Sequence, residues 1–298
     1  MKLLFTAPLD FDRKVMDEYC DFGEVMTLDT FFGFQCPPDI ATWVCDPGAE
    51  YVIDDAALDH FPHLKYLATP STGENHLSRE ACERRGIKVL SLLNDRAGLD
   101  TISASAEFTF KLLLDALRKE PARELQGKDV GLVGFGRIGK RMKQYLFAFG
   151  AREIHYDPAL STGYGASSMA RPFVWGDAVV ICCTLNDETR GMVKKEHILS
   201  MKPGAALVNT ARGEIIDEQG LYEALAERPD IRFATDVVHG EVEGCGEESR
   251  AKLRALGAIV TNHIAGATYD SRTKAAKIIL SLLQKELGES CKSASLAT

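Results

Sequence analysis

Short apolar runs rich in β-branched residues alternate along the chain with longer stretches whose apolar residues recur at helical spacing. Strands joined by crossover helices give that alternation, which predicts an α/β fold of doubly wound parallel sheets. Strands are expected at Leu3–Phe5, Thr42–Cys45, Leu64–Ala68 and Ile87–Ser91. A second series follows at Val130–Val133, Ile154–Tyr156, Val179–Cys183, Ala206–Asn209, Phe233–Asp236 and Ile259–Thr261. Between the series, Thr101–Lys119 carries Phe108, Leu112, Leu113 and Ala116 at helical spacing and stops before Pro121, so it reads as the join. The last amphipathic stretch, Thr268–Leu287, places Ala275, Ala276, Ile279, Leu280 and Leu283 on one face. If it returns to the first series, residues 1–97 and 269–298 form one domain and residues 98–268 another, inserted between them. Residues 161–168 read as an exposed loop and the C-terminal tail as frayed.

Composition narrows the partners. The 298 residues are 45% apolar and 26% charged with a net charge of −8, an ordinary globular balance of about two domains. An acidic chain without clustered Lys and Arg offers no footprint for nucleic acid or an anionic membrane surface. The longest apolar run, around DAVVICCTL, falls short of the roughly 20 residues a spanning helix needs. Pro8 and Asp10 interrupt the N-terminal apolar stretch, so no secretory signal is expected and the chain reads as cytoplasmic. The 8 cysteines show neither a CxxC pair nor metal-type spacing with His, which predicts reduced, mostly buried thiols and no metal.

One expected strand runs directly into Gly134-Phe-Gly136-Arg137-Ile138-Gly139 and then into a helical segment. An acid, Asp157, stands 18 residues after the last glycine, at the end of the following strand. In such a dinucleotide fingerprint Gly134 permits the tight turn, Gly136 lets backbone approach a pyrophosphate, and Gly139 lets helix and strand pack closely. The helix N-terminus turns unpaired N–H groups and a positive dipole end toward the phosphates. Asp157 would accept from the adenosine ribose hydroxyls and repel a 2′-phosphate, which selects NAD over NADP.

Three ionisable residues stand near later element ends: Arg212 in LVNTARGEIID, Glu241 in FATDVVHGE and His263 in IVTNHIAGAT. Ligands of open α/β sheets bind beyond the carboxyl ends of strands, so Arg212 and His263 could meet one nicotinamide. Taken singly, they suit equally a surface ion pair, a solvated carboxylate and a loop histidine.

Over nearly its whole length the sequence resembles the D-isomer-specific 2-hydroxyacid dehydrogenases, which include phosphoglycerate, glycerate, D-lactate and glyoxylate/hydroxypyruvate enzymes. GFGRIG with HYDP resembles that family's cofactor motif, DETRGMVKKEHILSMKPGAALVNTARGEIIDEQGLYEAL its long central signature, and TNHIAGAT its histidine motif. The resemblance implies a Rossmann-like NAD-binding domain inserted into a substrate domain, and a homodimer packed through the helix at Thr101–Lys119. It places Arg212, Glu241 and His263 on the catalytic positions, separated by 29 and 22 residues. His263 is then the proton donor for 2-keto acid reduction, Glu241 supports its imidazolium, and Arg212 grips the small anionic substrate. It adds Thr184, Thr210, Ala211, Asp236 and Gly266 to the cofactor-binding set, with Asp236 near the nicotinamide carboxamide. In the first domain, Ser71, Thr72 and Gly73 of TPSTGENHL fall on a loop whose backbone N–H groups bind the substrate carboxylate.

The chain also departs from that pattern. Glu74, Asn75 and His76 follow Gly73 where the family more often has Asp-Asn. Thr184 replaces a usual proline, and the proline expected after Glu241 is absent. On a strand through Cys183, Cys182 and Cys183 would point to opposite faces, against any shared redox role. Arg96, in a distinctive loop at 91–100, could reach a second anionic group on a substrate but reads first as an ordinary solvated Arg, and Asp46 to Gly48 fall among the first-domain loops that would build the side-chain pocket. Two other readings stay open: an NAD(H)-sensing, corepressor-like binding protein, and a phosphite-dehydrogenase-like enzyme. Formate-type relatives carry Gln where this chain has Glu241.

Overall fold

A computed structural model describes residues 2–27, 39–45, 48, 52–160, 165, 168–242 and 244–295, with side chains through residue 288. Most of the loop expected at 161–168 lies outside the described residues, as do Asp46 and Pro47. The chain divides into two compact units, Met1–Ser103 with Ala267–Thr298, and Ala104–Gly266.

The first unit contains β1 (Lys2–Phe5), α1 (Arg13–Phe22), β2 (Glu24–Thr27), β3 (Ile40–Val44), α2 (Asp55–Leu58), β4 (Tyr66–Thr69), α3 (Arg79–Arg84), β5 (Lys88–Ser91) and α4 (Arg96–Leu99). Its strands are all parallel, in the order β2-β1-β3-β4-β5. Successive strand residues point to opposite faces, so a sheet covered on both sides is apolar at every position. Leu3 and Phe5 accordingly enter one core with Val15 and Tyr19 of α1, while Leu4 enters the other with Trp43, Leu58 and Leu67. The C-terminal helix α11 (Tyr269–Ser295) completes the first of these cores with Ala275, Ala276, Ile279, Leu280 and Leu283. Tyr19 seals it by donating its hydroxyl hydrogen to Ala276 O at 2.8 Å.

The second unit opens on α5 (Ala104–Leu117) and continues through β6 (Asp129–Val133), α6 (Arg137–Ala148), β7 (Arg152–Tyr156), α7 (Ala170–Trp175), β8 (Ala178–Ile181) and α8 (Lys195–Leu199). It ends with β9 (Ala206–Asn209), α9 (Glu218–Glu227), β10 (Arg232–Thr235), α10 (Gly246–Ala255) and β11 (Ile259–Val260). This sheet is also parallel, ordered β11-β10-β9-β8-β6-β7. The chain leaves β6 toward β7 and then winds the other way from β8, so the switch point lies between the carboxyl ends of β6 and β8.

Four expectations need correction. The joining helix begins at Ala104 rather than Thr101, because Ile102 is drawn into the first unit's core and Thr101 O accepts from Lys274 Nζ at 2.9 Å. β8 ends at Ile181 rather than Cys183: Cys182 N still donates to Val133 O at 2.7 Å, but β6 turns away at Gly134 and leaves Cys183 no ladder partner there. The strand argument for opposed thiols therefore does not apply. Burial of the cysteines is less general than expected: Cys45 and Cys82 are buried, Cys182 and Cys183 half-buried, and Cys20 and Cys245 exposed. The tail continues as helix to Ser295 instead of fraying from 290. Among the described residues no helix is long and apolar enough to cross a membrane.

Candidate active site

The switch point carries the glycine loop. Gly134 sits at φ 94°, and a Cβ there would stand 2.6 Å from Cys183 N, so only glycine lets the chain cross the end of β8. A Cβ on Gly139 would stand 2.5 Å from Gly134 O, which is why α6 can start directly against the turn. At Gly136 the opposite holds, for no described atom lies within 4 Å of where a Cβ would be. Gly136 also caps the 12-residue α6 without a side-chain hydrogen bond, so the positive dipole end of the helix opens directly on the glycine turn. Arg137 and Ile138 form that first turn, half-buried.

Asp157 stands at the end of β7 and accepts from Phe135 N at 2.8 Å through one oxygen and from Ala159 N at 3.0 Å through the other. It therefore shapes the glycine loop, and each oxygen still has a lone pair for ribose hydroxyls. An open glycine face, an uncapped helix start and an acid beside them fit a dinucleotide without a 2′-phosphate.

The candidate catalytic residues are braced from the strand ends. At the end of β9, the Asn209 side chain accepts from Ala211 N at 3.0 Å and donates to Arg212 O at 2.9 Å, fixing the turn through Thr210, Ala211 and Arg212. The Thr210 hydroxyl pairs with Thr109 of α5 at 2.6 Å. A Cβ on Gly213 would fall 2.1 Å from the Val238 carbonyl carbon, so glycine after Arg212 lets this turn press against the segment leading from β10 to Glu241. Burial lowers the Arg212 guanidinium from its usual range, against the opposing charges of Glu241 and Glu214.

Glu241 and His263 meet directly: His263 Nδ1 lies 2.8 Å from Glu241 Oε2. The other carboxylate oxygen accepts from Arg250 Nη2 at 2.7 Å and from Val238 N at 3.2 Å. Burial alone would push the Glu241 carboxyl up; the hydrogen bond and charge of His263, with Arg250 and Val238 N–H, outweigh it and hold the carboxyl below the usual range. The His263 side chain is 41% exposed against 14% for Glu241, so the imidazole stands between a buried carboxylate and solvent.

His263 adopts φ 52°, the left-handed region that side-chain-bearing residues seldom enter. Asp236, fully buried, holds it there. Asp236 O accepts from His263 N at 2.9 Å, and the carboxylate accepts from Thr261 Oγ1 at 2.5 Å, Ile264 N at 3.0 Å and Ala265 N at 2.7 Å. Thr184 is exposed beyond β8, its carbonyl accepting from Thr189, and Gly266 is exposed just past the His263 turn.

In the first unit, Ser71, Thr72 and Gly73 follow the carboxyl end of β4. Ser71 Oγ donates to Gly73 O at 2.6 Å and pairs with Thr69 Oγ1 at 3.1 Å. His76 is 2% exposed, with Nε2 3.0 Å from Thr69 Oγ1 and 3.8 Å from Cys45 Sγ, so it supports this loop from beneath. Glu74 pairs with Arg79, and Arg96 is exposed at the start of α4.

Sequence reasoning missed Asn209, Gly213 and Arg250. Asn closing an apolar strand just before a turn is a signal that could have found Asn209. The partners of Gly213 and Arg250 are set by tertiary packing and left no local trace.

Residues 102–265 match the family model described as D-isomer specific 2-hydroxyacid dehydrogenase, NAD binding domain. The chain is 32% identical over 249 residues to the hydroxypyruvate reductase of Thermotoga maritima, covering 76% of this chain and 78% of that one. It is 29% identical over 246 residues to the D-3-phosphoglycerate dehydrogenase of Mycobacterium tuberculosis, covering 75% of this chain and only 45% of the longer relative. In fold it matches the NAD+-bound 3-phosphoglycerate dehydrogenase of Entamoeba histolytica at a TM-score of 0.76 and 23% identity, over 95% of this chain and 94% of that one. A strand-glycine-helix-acid arrangement that fits NAD, inside a domain matched by this model, makes the chain a member of the D-isomer-specific 2-hydroxyacid dehydrogenase family of NAD-dependent oxidoreductases.

Proposed function

We propose that the protein interconverts a small 2-keto acid and its D-2-hydroxy acid, with His263 as proton donor, Glu241 as its support and Arg212 as the substrate grip. The observation that carries this reading is the 2.8 Å contact between His263 Nδ1 and Glu241 Oε2 on a turn locked by Asp236. NADH, when bound, supplies a hydride to the keto carbon. Negative charge then gathers on the keto oxygen, and a donor within hydrogen-bond reach lowers that barrier. With Nδ1 committed to Glu241, Nε2 of His263 is left to give the proton. Arg212 offers a planar fork that matches carboxylate and carbonyl oxygens together, as a lysine would not.

On this reading Gly134, Gly136, Arg137, Ile138, Gly139, Asp157, Thr184, Thr210, Ala211, Asp236 and Gly266 belong to the cofactor site, and Asp157 selects NADH over NADPH. Backbone N–H groups at Ser71, Thr72 and Gly73 take the substrate carboxylate, which makes the first unit the substrate domain. A homodimer belongs to the same reading; the 83% exposed Phe147 and 52% exposed Phe149, in and just after α6, are apolar surface that a second copy could cover. Light scattering at micromolar concentration tests it, and a monomer there rejects it.

The test of the reaction is a panel of pyruvate, glyoxylate, hydroxypyruvate, 3-phosphohydroxypyruvate and phenylpyruvate, followed by NADH oxidation. Turnover on one or more of them is expected. NADH binding without turnover on any, or equal use of NADPH, would count against the reading.

A further inference from the structure

Each turnover poses an electrostatic problem for Glu241. While His263 carries its proton, the buried carboxylate faces an imidazolium 2.8 Å away. Once the proton has gone to the keto oxygen, the same carboxylate faces a neutral ring. A buried carboxylate that loses its cation gains by taking up a proton, and a protonated Glu241 would no longer favour recharging of the imidazole.

The chain supplies a second cation for that half of the cycle. Arg250 projects from α10, and its Nη2 lies 2.7 Å from Glu241 Oε1, the oxygen His263 does not use. The pair is well shielded, with side chains 13% and 14% exposed. Two features fix the approach. A Cβ on Gly246, the first residue of α10, would stand 3.2 Å from both Cα and Cγ of Glu241, so glycine there lets the helix start against it. The neighbouring Ser249 donates to Glu218 Oε1 of α9 at 2.5 Å, which pins the helix so that the next residue faces Glu241.

Resting on the assignment of His263 and Glu241 above, we propose that Arg250 is a positioning residue of the reaction: it holds Glu241 ionised and correctly turned while His263 lacks its proton. The charged groups around Glu241 are His263 on the turn after β11, Arg212 after β9, and Arg250 with its partner Glu247 on α10. Arg212 donates from Nη1 to Ala211 O at 2.6 Å and, on the reading above, turns to the substrate. Glu247 is largely exposed, stands as far as 3.5 Å from Arg250 Nη1 and is shared with Arg254 at 3.1 Å, so it takes little of the guanidinium's charge. Arg250 is thus the cation that can stay with Glu241 throughout.

The test is the pH–rate profile of glyoxylate reduction by NADH in Arg250→Gln, Arg250→Lys, Glu241→Gln and Glu241→Gln/Arg250→Gln, with NADH affinity measured alongside. A cation a few ångströms from a carboxylate lowers its titration by about one to three pH units, so Arg250→Gln should raise the acid-side fall of the profile by that amount. Arg250→Lys should leave the fall in place and lower the rate, by up to about 10²-fold, through lost orientation. In the Glu241→Gln background, Arg250→Gln should change nothing further. An unmoved acid limb in Arg250→Gln, the same shift in Arg250→Lys, or an equal penalty with and without Glu241 would each overturn the proposal. Arg250→Lys, which keeps the charge, serves if the Gln variant does not fold. His263→Ala separates the two levels: if it reduces glyoxylate normally, the catalytic assignment fails; if it is inactive while Arg250→Gln leaves the profile unchanged, only the role of Arg250 fails.

Discussion

His263 occupies a backbone conformation that costs of order 1 kcal/mol or more for a residue with a side chain, and it is over-determined by four hydrogen bonds to Asp236 and its neighbours. Replacement of His263 by Ala should therefore leave the turn and NADH affinity largely intact while slowing single-turnover hydride transfer about 10²- to 10⁴-fold. Arg212→Lys keeps the charge and loses the fork, so KM for the keto acid should rise and kcat fall together. Glu241→Gln has a pH signature. The His263 interaction helps hold the Glu241 carboxyl below its usual range. For folding, a carboxyl lowered in the native state contributes stability above its unfolded titration and loses it as pH falls through the folded one. Glu241→Gln lacks that contribution from the start, so its stability, measured by denaturant titration across the acid range, should fall less steeply with pH than that of wild type. At the cofactor end, Asp157→Ser should weaken NADH and narrow its advantage over NADPH. Because Asp157 also accepts from Phe135 N and Ala159 N, some thermal stability should go with it.

At the scale of elements, the Arg212 turn depends on a glycine that motif reading overlooked. Gly213→Ala would drive a methyl into the Val238–His239 backbone, and packed backbone cannot step aside as a flexible side chain can. Activity should fall sharply in that variant even though no catalytic side chain is altered, whereas Gly86→Ala, with open space around it, should cost only the strain of its φ of 68°. Helix α11 gives a second test, since Ile279 and Leu283 are fully buried in the first unit's core. Leu283→Ala should cost about 2–5 kcal/mol, measurable by denaturant titration. Much of this element plan was legible in the sequence: ten of the strands showed as short apolar runs, and the glycine spacing exposed the strand-turn-helix junction because backbone φ requirements are local. β2 was not, for its four residues sit at the sheet edge, with Glu24 exposed and the rest only half-buried, so no apolar run announces it. The start of α5 was misplaced since Ile102 continues the helical spacing although it belongs to the first unit and packs in that unit's core.

For the molecule as a whole, the division into two units could be anticipated from one amphipathic helix with no partner in its own neighbourhood. The proposed catalytic trio could not: Arg212, Glu241 and His263 stand 29 and 22 residues apart, and only family resemblance joined them before the strand ends brought Glu241 to His263. The continuity of the units also bears on how the chain is made. Residues Ala104–Gly266 form one uninterrupted stretch, whereas the first unit takes Ala275, Ile279 and Leu283 of its core from beyond residue 266. Domains fold as units while synthesis proceeds at about 5–20 residues per second. On a ribosome the NAD-binding unit would therefore be complete while the segment made before it still waited for α11. Nascent chains stalled shortly after residue 266 has cleared the exit tunnel should bind NADH yet leave residues 1–103 open to protease, exposing Leu3, Phe5 and Tyr19 in the interval. The earliest-made strands would thus be the last to be buried, and they are where a chaperone would be expected to hold this chain.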